Sequence, residues 1–178
     1  MKGARPITLF FLLISFLILG FGLPKNIEKK VAKEVQKTFE VDDISFKSVV
    51  VDAGLNKDLP SKISEDNFSQ VYANNHLLGY VFVDQAPSKT AKFDYLVIFN
   101  SKLEVINSKI LVYREEYGGE IGSKRWLRQF LGKTGGDRVD HESNIDGIAG
   151  ATISVRSMTN AVDDLLRTVG ILQENKIL

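Results

Sequence analysis

The sequence predicts an α+β fold in which a single antiparallel sheet packs against helices. The central part of the chain holds four segments rich in β-branched and aromatic residues, and short turn-forming runs separate them. Segments with apolar residues at helical spacing stand before and after this region. The chain has 178 residues, of which 44% are hydrophobic and 25% charged, and these values favour one globular core.

The N-terminus has the pattern of an export segment. Lys2 and Arg5 precede an apolar run from Ile7 to Leu23, and this run is close to the lower limit of about 17 residues for crossing a bilayer. We therefore predict that residues 1–23 are a signal peptide or a retained membrane anchor, with the small residues of Gly20-Phe21-Gly22 favouring cleavage. The rest of the chain would then be periplasmic or anchored to the outer face of the cytoplasmic membrane.

Residues 24–67 are predicted to form an N-terminal extension of helix, strand and loop. Apolar residues recur every four positions between Lys25 and about Glu40, which predicts an amphipathic helix that packs on the domain. A helix lying on a membrane surface is the alternative, but the polar face mixes both signs of charge, which favours packing. Residues 44–51 follow as a strand, and residues 55–67 as a loop with a short helical turn.

The predicted sheet continues through residues 68–73, 76–83, 93–99 and 103–113. The intervening residues 74–75, 86–88 and 100–102 are rich in Asn, Pro and Ser, which are common in turns. Because the connections are this short, the simplest arrangement is an antiparallel meander.

A second helical pattern follows the sheet. Trp126, Leu127, Phe130 and Leu131 have helical spacing, and Gly132 provides a C-terminal stop. We expect Trp126 and Phe130 to be core residues.

A turn of small residues, 146–154, leads into the last predicted helix. Downstream apolar residues recur at steps of three and four towards Gly170, so the turn lies at a helix N-terminus. Free N–H groups and the helix dipole favour an anion there, and Gly150 and Ala151 keep side-chain bulk away. Thr152 places a hydroxyl beside that anion site. The alternative interpretation is a plain capping loop with Ser154 as the N-cap.

These residues resemble the attachment motif of the FMN-binding domain family, Asp-x-x-(Ser/Thr)-Gly-Ala-Thr. Asp146, Gly150, Ala151 and Thr152 match it, whereas Ala149 replaces the Ser/Thr. The resemblance extends over roughly residues 68–166, which implies an FMN-binding domain at 68–178. It implies FMN esterified through its phosphate to Thr152, installed from FAD by a flavin transferase that recognises the sequence around Asp146.

The loop after the last strand supplies the remaining candidate residues. It occupies the place of the family's Glu-Thr-Pro-Gly-Leu-Gly loop, which touches the flavin. Its glycines allow close approach of the backbone to a planar ligand, and its tyrosine could lie against a ring. Its arginine could stabilise reduced flavin or could equally be solvated. The cofactor-binding residues predicted from both segments are Thr152, Asp146, Gly150, Ala151, Ser154, Arg114, Glu116, Tyr117, Gly118 and Gly119.

Other chemistry has little support in the sequence. The net charge is +1 without an evident basic stripe, which gives no case for nucleic acid. The chain has no cysteine, hence no disulfide or thiolate-held iron–sulfur cluster, and its two histidines, His76 and His141, do not have metal-ligand spacing. The adjacent pairs Glu115-Glu116 and Asp163-Asp164 are interpreted as solvated surface, and we predict no catalytic residue.

Two function hypotheses follow. The first is an exported flavoprotein that carries FMN on Thr152 and transfers electrons between membrane or periplasmic redox proteins. No nicotinamide-binding fingerprint is present, so its electrons would come from a protein or quinol partner. The second is a non-redox exported module that binds another phosphorylated or planar ligand in the same cleft.

Overall fold

The computed structural model describes residues 22–178 of the chain. The predicted export or anchor segment therefore lies, up to residue 21, outside the described residues. Between residues 22 and 178, no helix is both long enough and apolar enough to span a membrane.

In the described part of the chain, five strands form one sheet in chain order, and each pairs antiparallel with the next. This confirms the predicted α+β fold with an antiparallel meander. The strands are β1 (Ser45–Ser48), β2 (Phe68–Ala73), β3 (His76–Pro87), β4 (Lys92–Asn100) and β5 (Val105–Val112).

Strand boundaries differ from the prediction in β1, β3 and β5. β1 is shorter than the predicted 44–51 and ends at Ser48. β3 continues beyond Val83 to Pro87, because Pro87 still pairs with Lys92 of β4, so the turn that joins these strands is shorter than predicted. β5 begins at Val105 and not at Leu103, because Leu103 has a φ of 63° in a tight turn. The backbone N–H of Leu103 donates to the carbonyl of Asn100 in that turn.

Within residues 22–178, four α-helices accompany the sheet. They are α1 (Lys25–Phe39), α2 (Ala53–Asp58), α3 (Lys124–Leu127) and α4 (Thr152–Glu174), with 3₁₀ turns at Gly119–Gly122 and Arg128–Phe130. α1 lies where the four-residue spacing predicted it, and α2 is the short helical turn expected in the polar loop. Because β1 pairs with β2, the 24–67 segment is built into the same sheet as the rest of the chain.

Both faces of the sheet are covered. Along β4, Tyr95 and Phe99 belong to the core that contains α4, whereas Leu96 and Ile98 belong to the core that contains α1. Since successive side chains of a strand point to opposite faces, β4 is buried on both sides. The predicted core residues Trp126 and Phe130 are buried on the α4 side.

α4 is longer than predicted, because Gly170 does not end it. A Cβ at Gly170 would lie 2.8 Å from the carbonyl oxygen of Gly135, and a Cβ at Gly135 would lie 2.6 Å from the amide nitrogen of Gly170. The loop before α4 therefore crosses the helix at van der Waals distance. The glycine in the helix makes room for this crossing and is not a stop signal.

The same loop is fixed to α4 by an ion pair. Asp163, interpreted from the sequence as solvated surface, is 9% exposed and accepts hydrogen bonds from Arg138 Nε at 2.7 Å and Val139 N at 3.1 Å. That interpretation of Asp163 is wrong, because α4 presents this carboxylate to the loop. The hydrogen bond and the charge of Asp163 raise the pKa of Arg138. This contact holds the segment that leads to the N-terminus of α4.

Candidate functional site

The first turn of α4 forms one wall of a cleft. Thr152 is the first residue of the helix and is exposed, and Ala151 is the N-cap residue without a side-chain hydrogen bond to the helix end. The first N–H groups of an α-helix have no acceptor within the helix. These donors and the positive end of the helix dipole are therefore available to an outside anion such as phosphate.

Gly150 determines how the chain enters this helix. Its φ is +80°, in the left-handed region that favours glycine. A Cβ built at this position would meet nothing within 4 Å. The backbone conformation therefore requires the glycine, while the space beside it is open to a ligand.

The loop that follows β5 forms the opposite wall. The cleft between the walls has a volume of about 860 Å³, which lies within the roughly 300–1,000 Å³ common for small-molecule sites. Tyr117 on the loop is 79% exposed, and Ile153 on the helix is 50% exposed. The predicted site residues that line the cleft are Arg114, Glu116, Tyr117, Gly150, Ala151, Thr152 and Ser154.

Tyr113 connects the two walls, although no sequence pattern had marked it as a site residue. Its hydroxyl donates to the carbonyl oxygen of Tyr117 at 3.1 Å and lies 3.0 Å from Ser154 Oγ. Because the single phenolic hydrogen is used on Tyr117, Ser154 donates to Tyr113. The alternative of Ser154 as the N-cap is wrong, since it lies within the first turn of α4 and bonds to the loop.

Gly118 packs directly behind the cleft. It is buried, its φ is +84°, and a Cβ there would lie 2.8 Å from Tyr113 Oη and 3.1 Å from Ala151 Cβ. Gly119 is exposed, and a Cβ there would meet only Tyr113 Cδ1, at 3.9 Å. Neither glycine lines the cleft, but Gly118 sets how closely the loop approaches α4.

Arg114 is engaged within the protein. Its guanidinium donates to Asp94 Oδ2 at 2.5 Å and to the carbonyl oxygen of Lys92 at 2.8 Å. Its side chain nevertheless remains 41% exposed, so Arg114 is both paired and in contact with solvent. Its charge lies at the edge of the cleft but is largely compensated by the nearly buried Asp94.

Glu115 holds a third segment at the cleft, the turn between β3 and β4. Its carboxylate accepts hydrogen bonds from Ser88 Oγ at 2.6 Å, from Thr90 N at 2.6 Å and Oγ1 at 2.8 Å, and from Ala91 N at 3.1 Å. These bonds, led by the one from Ser88, lower the pKa of Glu115 to about 2. The interpretation of Glu115 as solvated surface is therefore wrong, while its neighbour Glu116 is exposed.

The turn that Glu115 holds contributes Lys89 and Thr90 to the lining of the cleft. Sequence reasoning missed both of them and Tyr113 as well. No short-range pattern marks these residues, because they meet the helix only through the pairing of β3, β4 and β5.

Asp146 lies apart from the lining residues. Its backbone is fixed by Trp126, whose indole N–H donates to the Asp146 carbonyl at 2.7 Å, and by Gln129 Oε1, which accepts from the Asp146 N–H at 2.9 Å. Its own side chain is exposed. Trp126 and Gln129 thus position the start of the turn and leave the Asp146 carboxylate on the surface.

Comparison with known proteins places this site in a family. Residues 90–167 match the family model described as FMN-binding domain. The match begins in the turn held by Glu115, includes the loop after β5 and ends within α4, so it contains every lining residue of the cleft except Lys89. A search of curated proteins gave no match to the chain.

The chain thus carries a flavin-binding domain. Residues 90–167 are similar to the FMN-binding domain family, and FMN is the cofactor that such a domain implies.

Proposed function

We propose that this protein is an exported flavoprotein that carries FMN covalently on Thr152 and transfers electrons between membrane or periplasmic redox partners. The observation that carries the proposal is the uncapped N-terminus of α4, which presents an exposed threonine hydroxyl to a cleft in a domain of the FMN-binding family.

The N-terminus of α4 is the proposed position of the FMN phosphate. Ala151 offers no side-chain cap, and Ser154 bonds to Tyr113, so neither side chain occupies the first N–H groups of α4. A phosphate esterified to Thr152 would accept from these N–H groups and lie at the positive end of the helix dipole. Lys89, on the rim of the same cleft, adds a cation that compensates its charge.

The exposed side chains on the two walls of the cleft indicate where the isoalloxazine ring of FMN would lie. Tyr117 and Ile153 present their side chains from opposite walls, and a planar ring between them would cover both. When bound, FMN supplies the redox chemistry, because its isoalloxazine ring accepts and releases electrons. The protein positions the ring and supplies the surface that a redox partner approaches.

Attachment requires a phosphoryl-type transfer to Thr152. A bond forms between Thr152 Oγ1 and the phosphorus on the FMN side of FAD, the bond from that phosphorus to the AMP oxygen breaks, and AMP leaves with the hydroxyl proton. A flavin transferase would supply the catalysis. The exposed Asp146 carboxylate, on a backbone fixed by Trp126, is available for recognition by that enzyme.

Intact-mass measurement tests the covalent link. Protein produced with FAD and a flavin transferase should gain the mass of FMN less water, and protein produced without the transferase should not. Thr152→Ala should abolish the added mass and the in-gel fluorescence of the denatured protein, and Thr152→Ser should keep part of both.

Ser157→Ala is the matched control, because Ser157 is a hydroxyl residue one turn further along α4 whose side chain bonds only to the carbonyl of Ile153. Its labelling should equal that of the unchanged protein. A Thr152→Ala protein that retains the full added mass would refute the attachment site. A colourless, unmodified but folded protein made with an active transferase would favour the non-redox binding module.

The proposed location rests on the basic start and apolar run of residues 1–23. Cell fractionation of the same labelled protein should recover the flavin fluorescence in the periplasmic or membrane fraction. Recovery of the unprocessed chain free in the cytoplasm would contradict export.

A further inference from the structure

The structure gathers cations from three distant segments into a groove between α1 and β5, which we call the basic groove. From α1 it takes Lys30, Lys33 and Lys37. Their spacing of three and four residues places them on one side of the helix, next to the side that packs on the sheet. Lys30 also donates from Nζ to the carbonyl oxygen of Leu111 in β5, at 2.8 Å, which ties the helix to the groove floor.

The other side of the groove is equally basic. Lys109 projects from β5, and Lys124, Arg125 and Arg128 come from α3 and the 3₁₀ turn after it. Seven cations thus line the groove in a chain whose net charge is only +1. The cations are far apart in the sequence, which is why no basic stripe is evident there.

Glu34 is the one acidic residue among the lining residues of the groove. It pairs with Lys109 and accepts from Asn107 Nδ2 at 3.1 Å. Burial raises the pKa of Glu34, but the bonds from Lys109 and Asn107 and the charges of Lys109 and Lys37 outweigh it and hold the pKa below its ordinary value. The carboxylate therefore stays charged, and this one negative charge faces seven cations. Among residues 22–178, the structure gives no hydrogen-bond or ion-pair partner for the side-chain nitrogens of Lys33, Lys37 and Lys124.

We propose that the basic groove docks on the anionic phospholipid headgroups of a bilayer. It shares no lining residue with the flavin cleft, so the proposal does not depend on the flavin chemistry. Its larger part, between Lys37 and α3, has a volume of about 690 Å³, is open to solvent and is large enough to admit phosphate groups. Lysine and arginine clusters next to membrane segments bind anionic lipid through this electrostatic attraction.

Two observations favour a membrane over an acidic protein. In the form of the chain that retains residues 1–23 as an anchor, α1 begins at Lys25, immediately after the apolar run that ends at Leu23. Its 15 residues span about 22 Å, so the lysines of α1 lie within that distance of the run. At the groove edge Leu131 is 43% exposed among the cations, and apolar side chains set among lysines and arginines are typical of surfaces that bind the bilayer interface.

The test uses a spin label on the full-length chain. The protein has no cysteine, so Leu131→Cys creates a unique attachment point in the groove. Glu174→Cys is the control site, because it is exposed at the end of α4, on the opposite side of the sheet from α1. The labelled proteins are mixed with vesicles of phosphatidylcholine alone or with added phosphatidylglycerol, and the exposure of each label to a water-soluble relaxation agent is measured.

The label at position 131 should become protected in the anionic vesicles and not in the neutral ones, and 1 M salt should reverse this because screening is then nearly complete. The apolar run inserts without regard to headgroup charge, so it affects both vesicle types alike. The label at position 174 should remain exposed in both.

A second test compares a variant that neutralises lysines of the groove with one that neutralises lysines elsewhere. Neutralising Lys33, Lys37 and Lys124 to glutamine should weaken docking by about 100-fold, at roughly fivefold per cation near an anionic surface. The control variant neutralises the exposed Lys47, Lys57 and Lys102, which lie outside the groove, and should change docking by less than about threefold. Equal protection of the label at position 131 in both vesicle types, or an equal effect of the two variants, would overturn the proposal. Binding to an acidic protein or to nucleic acid without binding to anionic vesicles would also overturn it.

Discussion

Gly118 is the position where a single methyl group should separate the two walls of the flavin cleft. The Gly118→Ala change adds a Cβ at a residue whose φ is +84°, 2.8 Å from Tyr113 Oη and 3.1 Å from Ala151 Cβ. The matched control is Gly119→Ala, whose Cβ would meet only Tyr113 Cδ1 at an ordinary 3.9 Å. Both changes are chemically identical and lie one residue apart.

The expected cost follows from two contributions. A residue with a side chain in the left-handed conformation costs about 1–2 kcal/mol. The Tyr113 hydroxyl must also move, which weakens its bonds to Ser154 and Tyr117, and a hydrogen bond contributes about 1 kcal/mol. We therefore expect Gly118→Ala to lower the free energy of unfolding by about 2–4 kcal/mol, whereas Gly119→Ala should change it by less than about 1 kcal/mol.

Urea unfolding of both variants measures this difference, and the absorption spectrum of the flavin-loaded proteins provides a second readout. Because the added methyl group pushes the loop away from Ala151, Gly118→Ala should shift the flavin spectrum, while the Thr152 ester still forms. Gly119→Ala should leave the spectrum unchanged. Equal stability of the two variants would refute the packing argument, and an unshifted spectrum in Gly118→Ala would refute the link between this glycine and the cleft.

Two further changes test the contacts that hold the cleft together. Glu115 has a folded-state pKa of about 2, below its ordinary value of 4.5, so its contribution to stability is present above pH 4.5 and is lost as the pH falls towards 2. Glu115→Gln should flatten this part of the profile of urea midpoint against pH, and an unchanged acid profile would contradict the proposed anchoring of the β3–β4 turn. Tyr113→Phe removes the hydroxyl between Ser154 and Tyr117 and should cost about 1–2 kcal/mol; a urea midpoint equal to that of the unchanged protein would show that the hydroxyl does not join the walls.

Several features were determined by the sequence alone because they depend on neighbours along the chain. The four-residue spacing of Ile27, Val31 and Val35 predicted α1, and β-branched and aromatic runs with short turns predicted the meander. The small-residue turn before Thr152 predicted a helix start, which the structure confirms. Each of these rests on periodicity or turn chemistry within about ten residues.

Other features were decided by the tertiary structure. The helical pattern suggested that Gly170 ends α4, but the crossing of Gly135 requires that glycine within the helix. Adjacent carboxylates looked alike in the sequence, yet Glu115 is bound by the β3–β4 turn and Asp163 by Arg138. A side chain's partners depend on which strand or loop faces it, and local spacing carries no information about that.

The cleft and the basic groove, the two surfaces with proposed functions, show the same division. The sequence predicted a helix start at Thr152, but the opposite wall of the cleft and its link through Tyr113 exist only because β3, β4 and β5 pair and bring their loops to that end of α4. The basic groove arises in the same way, since the packing of α1 and α3 beside β5 brings together cations that acidic residues separate along the chain. Local periodicity determines where helices and strands form. Which charged side chains lie close together depends on how those helices pack on the sheet.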